Sequence, residues 1–89
     1  MKIITICGHG LGSSFMVESI IKQILSEENL NAELSHVDLS SVSSTTADIY
    51  LVGKDLASSV NVDNLIILNS LIDKAEIKEK LLNKIKEIQ

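Results

Sequence analysis

The sequence predicts an α/β fold: a four-stranded parallel sheet in the order 2-1-3-4, flavodoxin-like, in a three-layer sandwich with helices on both faces. Three observations lead there. Short apolar runs alternate with amphipathic segments in the pattern βαβ(loop)βαβα. The runs are nearly continuous aliphatics, as strands covered on both faces require. A glycine-rich turn joins the first strand to the first helix, at the carboxyl end where such sheets bind ligands. The 89 residues make one domain, spanning 1–89.

Lys2 to Ile6 reads as a buried strand that stops at Cys7, and Gly8 to Gly12 as a tight turn. A helix starts at Ser13 or Ser14, with Met16, Val17, Ile20, Ile21, Ile24 and Leu25 as its apolar stripe. Asn29 and Asn31 are suited to close it, because Asn tolerates the left-handed conformation. Ala32 to Val37 is a half-exposed second strand, and Asp38 to Thr46 a polar loop. Asp48 to Val52 is a third strand ended by Gly53, and Lys54 to Val60 a short helix candidate. Leu65 to Leu68 is a fully apolar fourth strand. Asp73 and Glu76 have the spacing of a capping box for a last helix, which buries Ile77, Leu81, Leu82, Ile85 and Ile88. Glu76 and Lys80 stand four apart in the favourable order.

Composition excludes several classes. The formal net charge is −4, and Phe15 and Tyr50 are the two aromatics, so a phosphate-backbone surface and a base-stacking platform are both missing. No nucleic-acid partner is expected. No apolar run approaches the ~20 residues of a membrane span, and the start of the chain lacks the form of a signal peptide. The expectation is a cytoplasmic chain that does not span the membrane. One cysteine allows no internal disulfide. No metal and no cofactor are expected.

The segment with chemistry is Cys7-Gly8-His9-Gly10-Leu11-Gly12-Ser13-Ser14. Three glycines let the main chain turn tightly with its N–H groups inward. The following helix adds unpaired N–H groups and the positive end of its dipole. Together they form an anion cradle. The same field favours a thiolate on Cys7 and lowers its pKa. A thiolate at a phosphate cradle points to a phosphocysteine intermediate.

Other glycine loops fit less well. A P-loop has lysine where Gly12 stands. A dinucleotide fingerprint has its third glycine where Ser13 stands; Asp38 is placed for a ribose contact, but the chain is short for two mononucleotide halves. A low-molecular-weight tyrosine phosphatase loop, C-x5-R-S, has arginine where Ser13 stands. Without that fork a hydrolytic transition state lacks its bidentate partner, so the loop suits a carrier better than a hydrolase. A cysteine phosphatase and a nucleotide-binding regulatory module stay as alternatives, while thioredoxin-type redox chemistry wants a second cysteine.

Each residue also has a plainer role. Cys7 could be a buried structural thiol, the glycines an ordinary turn, and Ser13 or Ser14 a helix cap. His9 could be a solvated loop residue. His36 reads as structural.

The segment CGHGLGSSFMVE resembles the active-site loop of phosphotransferase-system (PTS) IIB subunits of the ascorbate type, within the lactose/ascorbate/galactitol IIB-like superfamily. His9 stands where that type commonly has Asn. The resemblance continues through Ala47-Asp48-Ile49, Val52 to Ala57, Leu68-Asn69 and Asp73 to Leu82. It implies a phosphotransferase that accepts a phosphoryl group from a phosphohistidine on a IIA protein. Cys7 would hold the group, within a loop of Gly8, His9, Gly10, Leu11, Gly12, Ser13 and Ser14. The group would then pass to a sugar, L-ascorbate or a related carbohydrate, in the membrane transporter IIC.

Overall fold

The first apolar run forms β1, Lys2–Cys7, and takes an interior place in a four-stranded sheet. The structure is a computed structural model; it describes residues 1–7 and 13–88, with only the main chain at Cys7 and Ser13–Phe15. β1 pairs in parallel with β2, Glu33–Asp38, on one side and with β3, Ile49–Gly53, on the other. β4, Leu65–Leu68, pairs in parallel with β3 and completes the order β2-β1-β3-β4. This is the predicted sheet.

Side-chain alternation along β1 and β3 divides the core. Ile3, Ile49 and Leu51 face two helices: α1, Ser13–Glu27, and α2, Lys74–Ile88. Val17, Ile21, Ile24 and Leu25 of α1, with Ile77, Leu81 and Ile85 of α2, close that layer. Met16, assigned to the stripe from its spacing, is exposed. It stands at the edge of the apolar arc in the first turn. Leu82 is half-buried at the edge of the α2 arc, and Ile88, in the middle of that arc, is half-buried because it ends the helix.

Ile4, Ile6, Tyr50 and Val52 face the opposite layer. No α-helix covers them among the described residues. A 3-10 turn, Leu39–Ser44, supplies Val42, and the chain from Leu56 to Val62 supplies Leu56, Ala57, Val60 and Val62. The helix expected over Lys54 to Val60 is a turn followed by a 3-10 turn at Ala57–Ser59. Seven residues are too few to repay helix nucleation. The Tyr50 hydroxyl donates to the Thr45 carbonyl at 3.0 Å and accepts the Ala47 N–H at 3.1 Å, tying this layer to the sheet.

The helix ends follow their local chemistry. Asn29 adopts the left-handed conformation with φ of 58°, and the Leu30 N–H returns to the Leu25 carbonyl at 2.8 Å. This closes α1 as the first of the two asparagines allowed. At α2 the Asp73 carboxylate accepts the Glu76 N–H at 3.2 Å, which is half of the expected box. The other half is redirected. The Glu76 carboxylate accepts the N–H groups of Asn69 and Ser70, at 2.7 and 3.0 Å, and the Lys80 ammonium at 2.7 Å. The β4–α2 loop folds back over the helix start, so its N–H groups take the carboxylate.

The hydrogen bond from Lys80, with those from Asn69 and Ser70, lowers the Glu76 carboxyl from its ordinary 4.5 to about 2. A group whose native pKa is depressed adds stability that is full above its unfolded value. That contribution declines below pH 4.5 and is gone once the pH falls through about 2. In Glu76→Gln, stability should therefore be lower near neutrality and should fall less steeply across this window. Urea midpoints measured from pH 2 to pH 6 check this.

Candidate active site

Of the candidate residues, Cys7 lies at the carboxyl end of its strand and Ser13 and Ser14 at the opening of α1. Cys7 is the last residue of β1 and stands in register opposite Asp38, the last residue of β2. From β1 the chain passes to β2 on one side of it, and from β2 to β3 on the other. The carboxyl end of β1 is thus the topological switch point, where an open parallel sheet leaves a crevice. Asp38 lies at the strand end that its sequence position indicated.

Ser13 and Ser14 open α1, whose first turn carries no acidic residue. The first N–H groups of a helix lack intrahelical acceptors, and the macrodipole makes that end positive. At α2 the corresponding end is occupied by the carboxylates of Asp73 and Glu76. The opening of α1 has no acidic side chain of its own turn to compete with an incoming anion. Gly8, His9, Gly10, Leu11 and Gly12 lie outside the described residues, so the cradle rests on the sequence and on its two described ends.

One pair behind this opening escaped the sequence reading. Nδ1 of His36, on β2, lies 2.5 Å from Oε1 of Glu18, on α1. A carboxylate only accepts, so Nδ1 carries the proton. His36 pairs with Thr5, two residues before Cys7, while Glu18 follows Ser14 by one helical turn. Two polar residues 18 positions apart leave no periodic signal. The half-buried place of Glu18 beside Val17 is visible only once the helix is docked.

Among the described residues no group of three His, Cys, Asp or Glu side chains is placed to hold a metal ion. No described helix is long and apolar enough to cross a membrane.

An open parallel sheet with a cysteine ending its switch-point strand and a helix opening beyond it defines a flavodoxin-like α/β protein. Residues 2–83 match the family model of the PTS system, Lactose/Cellobiose specific IIB subunit, and the chain belongs to that family. Membership gives it the general role of a IIB phosphocarrier in a sugar phosphotransferase system, working with IIA and IIC components. Comparison with curated proteins gives no match. Among solved structures the chain is similar to a low molecular weight protein tyrosine phosphatase from Bacillus subtilis. The identity is 18%, the TM-score 0.61, and the alignment covers 98% of each chain. At that identity the likeness speaks for the fold alone.

Proposed function

We propose that this IIB subunit carries the phosphoryl group on Cys7, receiving it from a phosphohistidine of IIA and delivering it to a sugar bound by the membrane transporter IIC. The observation that carries this reading is the position of Cys7. It closes the switch-point strand, with five residues between it and a helix whose first turn holds no carboxylate. The Cys7 thiolate attacks phosphorus in line; an S–P bond forms, and the P–N bond breaks with its electron pair going to the imidazole. The N–H groups of Gly8, His9, Gly10, Leu11 and Gly12, and the hydroxyls of Ser13 and Ser14, surround the transferred oxygens. Such positioning and charge stabilisation carry most of the catalysis in phosphoryl transfer. Transfer to the sugar reverses the roles: the sugar hydroxyl attacks and the thiolate leaves.

The loop lacks an arginine and has no identified general acid, which favours a carrier over a phosphatase. The partner proteins then supply the remaining stabilisation, and the site works in the cytoplasm, where IIA is phosphorylated. The resemblance of Cys7 to Ser14 to the ascorbate type supports L-ascorbate or a related carbohydrate as acceptor. The family description favours a disaccharide such as lactose or cellobiose. Uptake with each sugar, in cells carrying the cognate IIC, distinguishes them.

Incubation with phosphoenolpyruvate, enzyme I, HPr and the cognate IIA should yield a protein one phosphoryl group heavier, labelled on Cys7 and released by iodine. Free aryl phosphates should not turn over. Robust aryl phosphate hydrolysis without a stable label would place the protein among phosphatases instead.

A further inference from the structure

The Glu18–His36 pair joins the two elements that meet at the switch point. α1 otherwise docks through Val17, Ile21, Ile24 and Leu25, with the Glu27–Lys74 ion pair at its far end, and apolar contact is non-directional. Such burial selects the face of the helix without fixing the direction of any single contact at its opening. A hydrogen bond to a carboxylate has a narrow range of distance and angle. The Glu18 side chain is 13% exposed and that of His36 43% exposed, so the bond forms at the margin of the helix–sheet contact. It is also near the end of α1 that matters. Met16 points to solvent, which makes Val17 and Glu18 the first described side chains to anchor the helix opening.

The pair has an electrostatic consequence as well. An unpartnered carboxylate one turn behind the helix opening would oppose an arriving phosphoryl group. Directed to the Nδ1–H of His36, the Glu18 carboxylate has a partner in the sheet, and its opposition is reduced.

We propose that Glu18 and His36 are positioning residues for phosphoryl transfer: their bond fixes the opening turn of α1 against β2, and with it the N–H groups presented to the phosphoryl group on Cys7. This rests on the reading of Cys7 as the carrier. Small displacements at such sites cost up to roughly a hundredfold in rate.

The test uses the full chain with His36→Ala, Glu18→Ala, the double variant and His36→Asn. Phosphoryl transfer from phosphorylated IIA and site-resolved amide hydrogen exchange are both measured. Each alanine variant should lose roughly ten- to a hundredfold in kcat, with KM for IIA within about twofold of wild type. The double variant should be no slower than the worse single one, because both changes remove the same bond. His36→Asn, whose amide nitrogen lies close to the position of Nδ1, should recover most of the rate. Amide exchange should quicken by about tenfold from Val17 to Ile20 and stay unchanged around Leu81 in α2.

Wild-type kcat in both single variants would overturn the proposal. So would a rate loss that His36→Asn does not rescue and that accompanies faster exchange throughout the chain. If wild type takes no label on Cys7, the proposed function fails separately. The exchange data then decide the pair: acceleration confined to the start of α1 upholds its positioning role, and unchanged exchange there removes it.

Discussion

Cys7→Ala should abolish phosphoryl labelling by phosphorylated IIA and leave the fold in place. The loss is total because the group is transferred through a covalent bond to the residue itself, and alanine has no nucleophile. Cys7→Ser should fail too: at neutral pH its hydroxyl is scarcely ionised, and no adjacent base has been identified to activate it. The fold should survive because β1 is held by its main-chain ladder to β2 and β3 and by Ile3, Ile4 and Ile6, all buried. Far-UV circular dichroism and the melting midpoint should match wild type while mass spectrometry finds no added phosphoryl group. Labelling of Cys7→Ala to the wild-type extent would assign the carrier to another residue.

The largest effect on stability is expected from the aliphatic layer under the helices. Ile21 of α1 and Leu81 of α2 are both fully buried, in one cluster with Ile3 and Ile49. Truncation of either to alanine removes buried methyl and methylene groups and leaves a cavity, at a cost of about 2–5 kcal/mol. Domains of ordinary stability have only about 5–15 kcal/mol in hand. Either variant should therefore show a sharply lower urea midpoint with little change in m-value. Losses below about 1 kcal/mol would mean that the layer collapses to fill the space.

The strands and their order could be read from the sequence because β1, β3 and β4 are compact aliphatic runs, and runs of that kind belong in parallel sheets. The end of β1 at Cys7 and the start of α1 at Ser13 are legible too: a strand tends to stop where glycines begin, and a helix can start where serine follows them. The second layer was less legible. Leu56, Ala57 and Val60 have a spacing that suits a helix, but this short segment meets the sheet through 3-10 and extended chain. The partners of Glu76 were read locally, as a capping box, while its carboxylate serves a loop that folds back on the helix. His36 reads as structural, but its bond to Glu18 is not legible, because hydrogen bonds between elements depend on docking, which hydrophobic periodicity does not encode. The glycine loop itself is legible only as composition, since glycine, histidine and serine state what an anion site needs without stating its geometry.

β4 is an outer strand of the sheet, and its carbonyl at Ile67 accepts the Lys80 ammonium at 2.7 Å. An unpaired strand border is a template on which a foreign chain can add. Here a cation occupies one of the acceptors such a chain would use, beside the exposed side chain of Ile67. The same ammonium is held by Glu76, so the barrier to intermolecular growth and the β4–α2 loop share one carboxylate. Strong acid that neutralises Glu76 therefore loosens both at once, and leaves the apolar Ile67 border open to self-association.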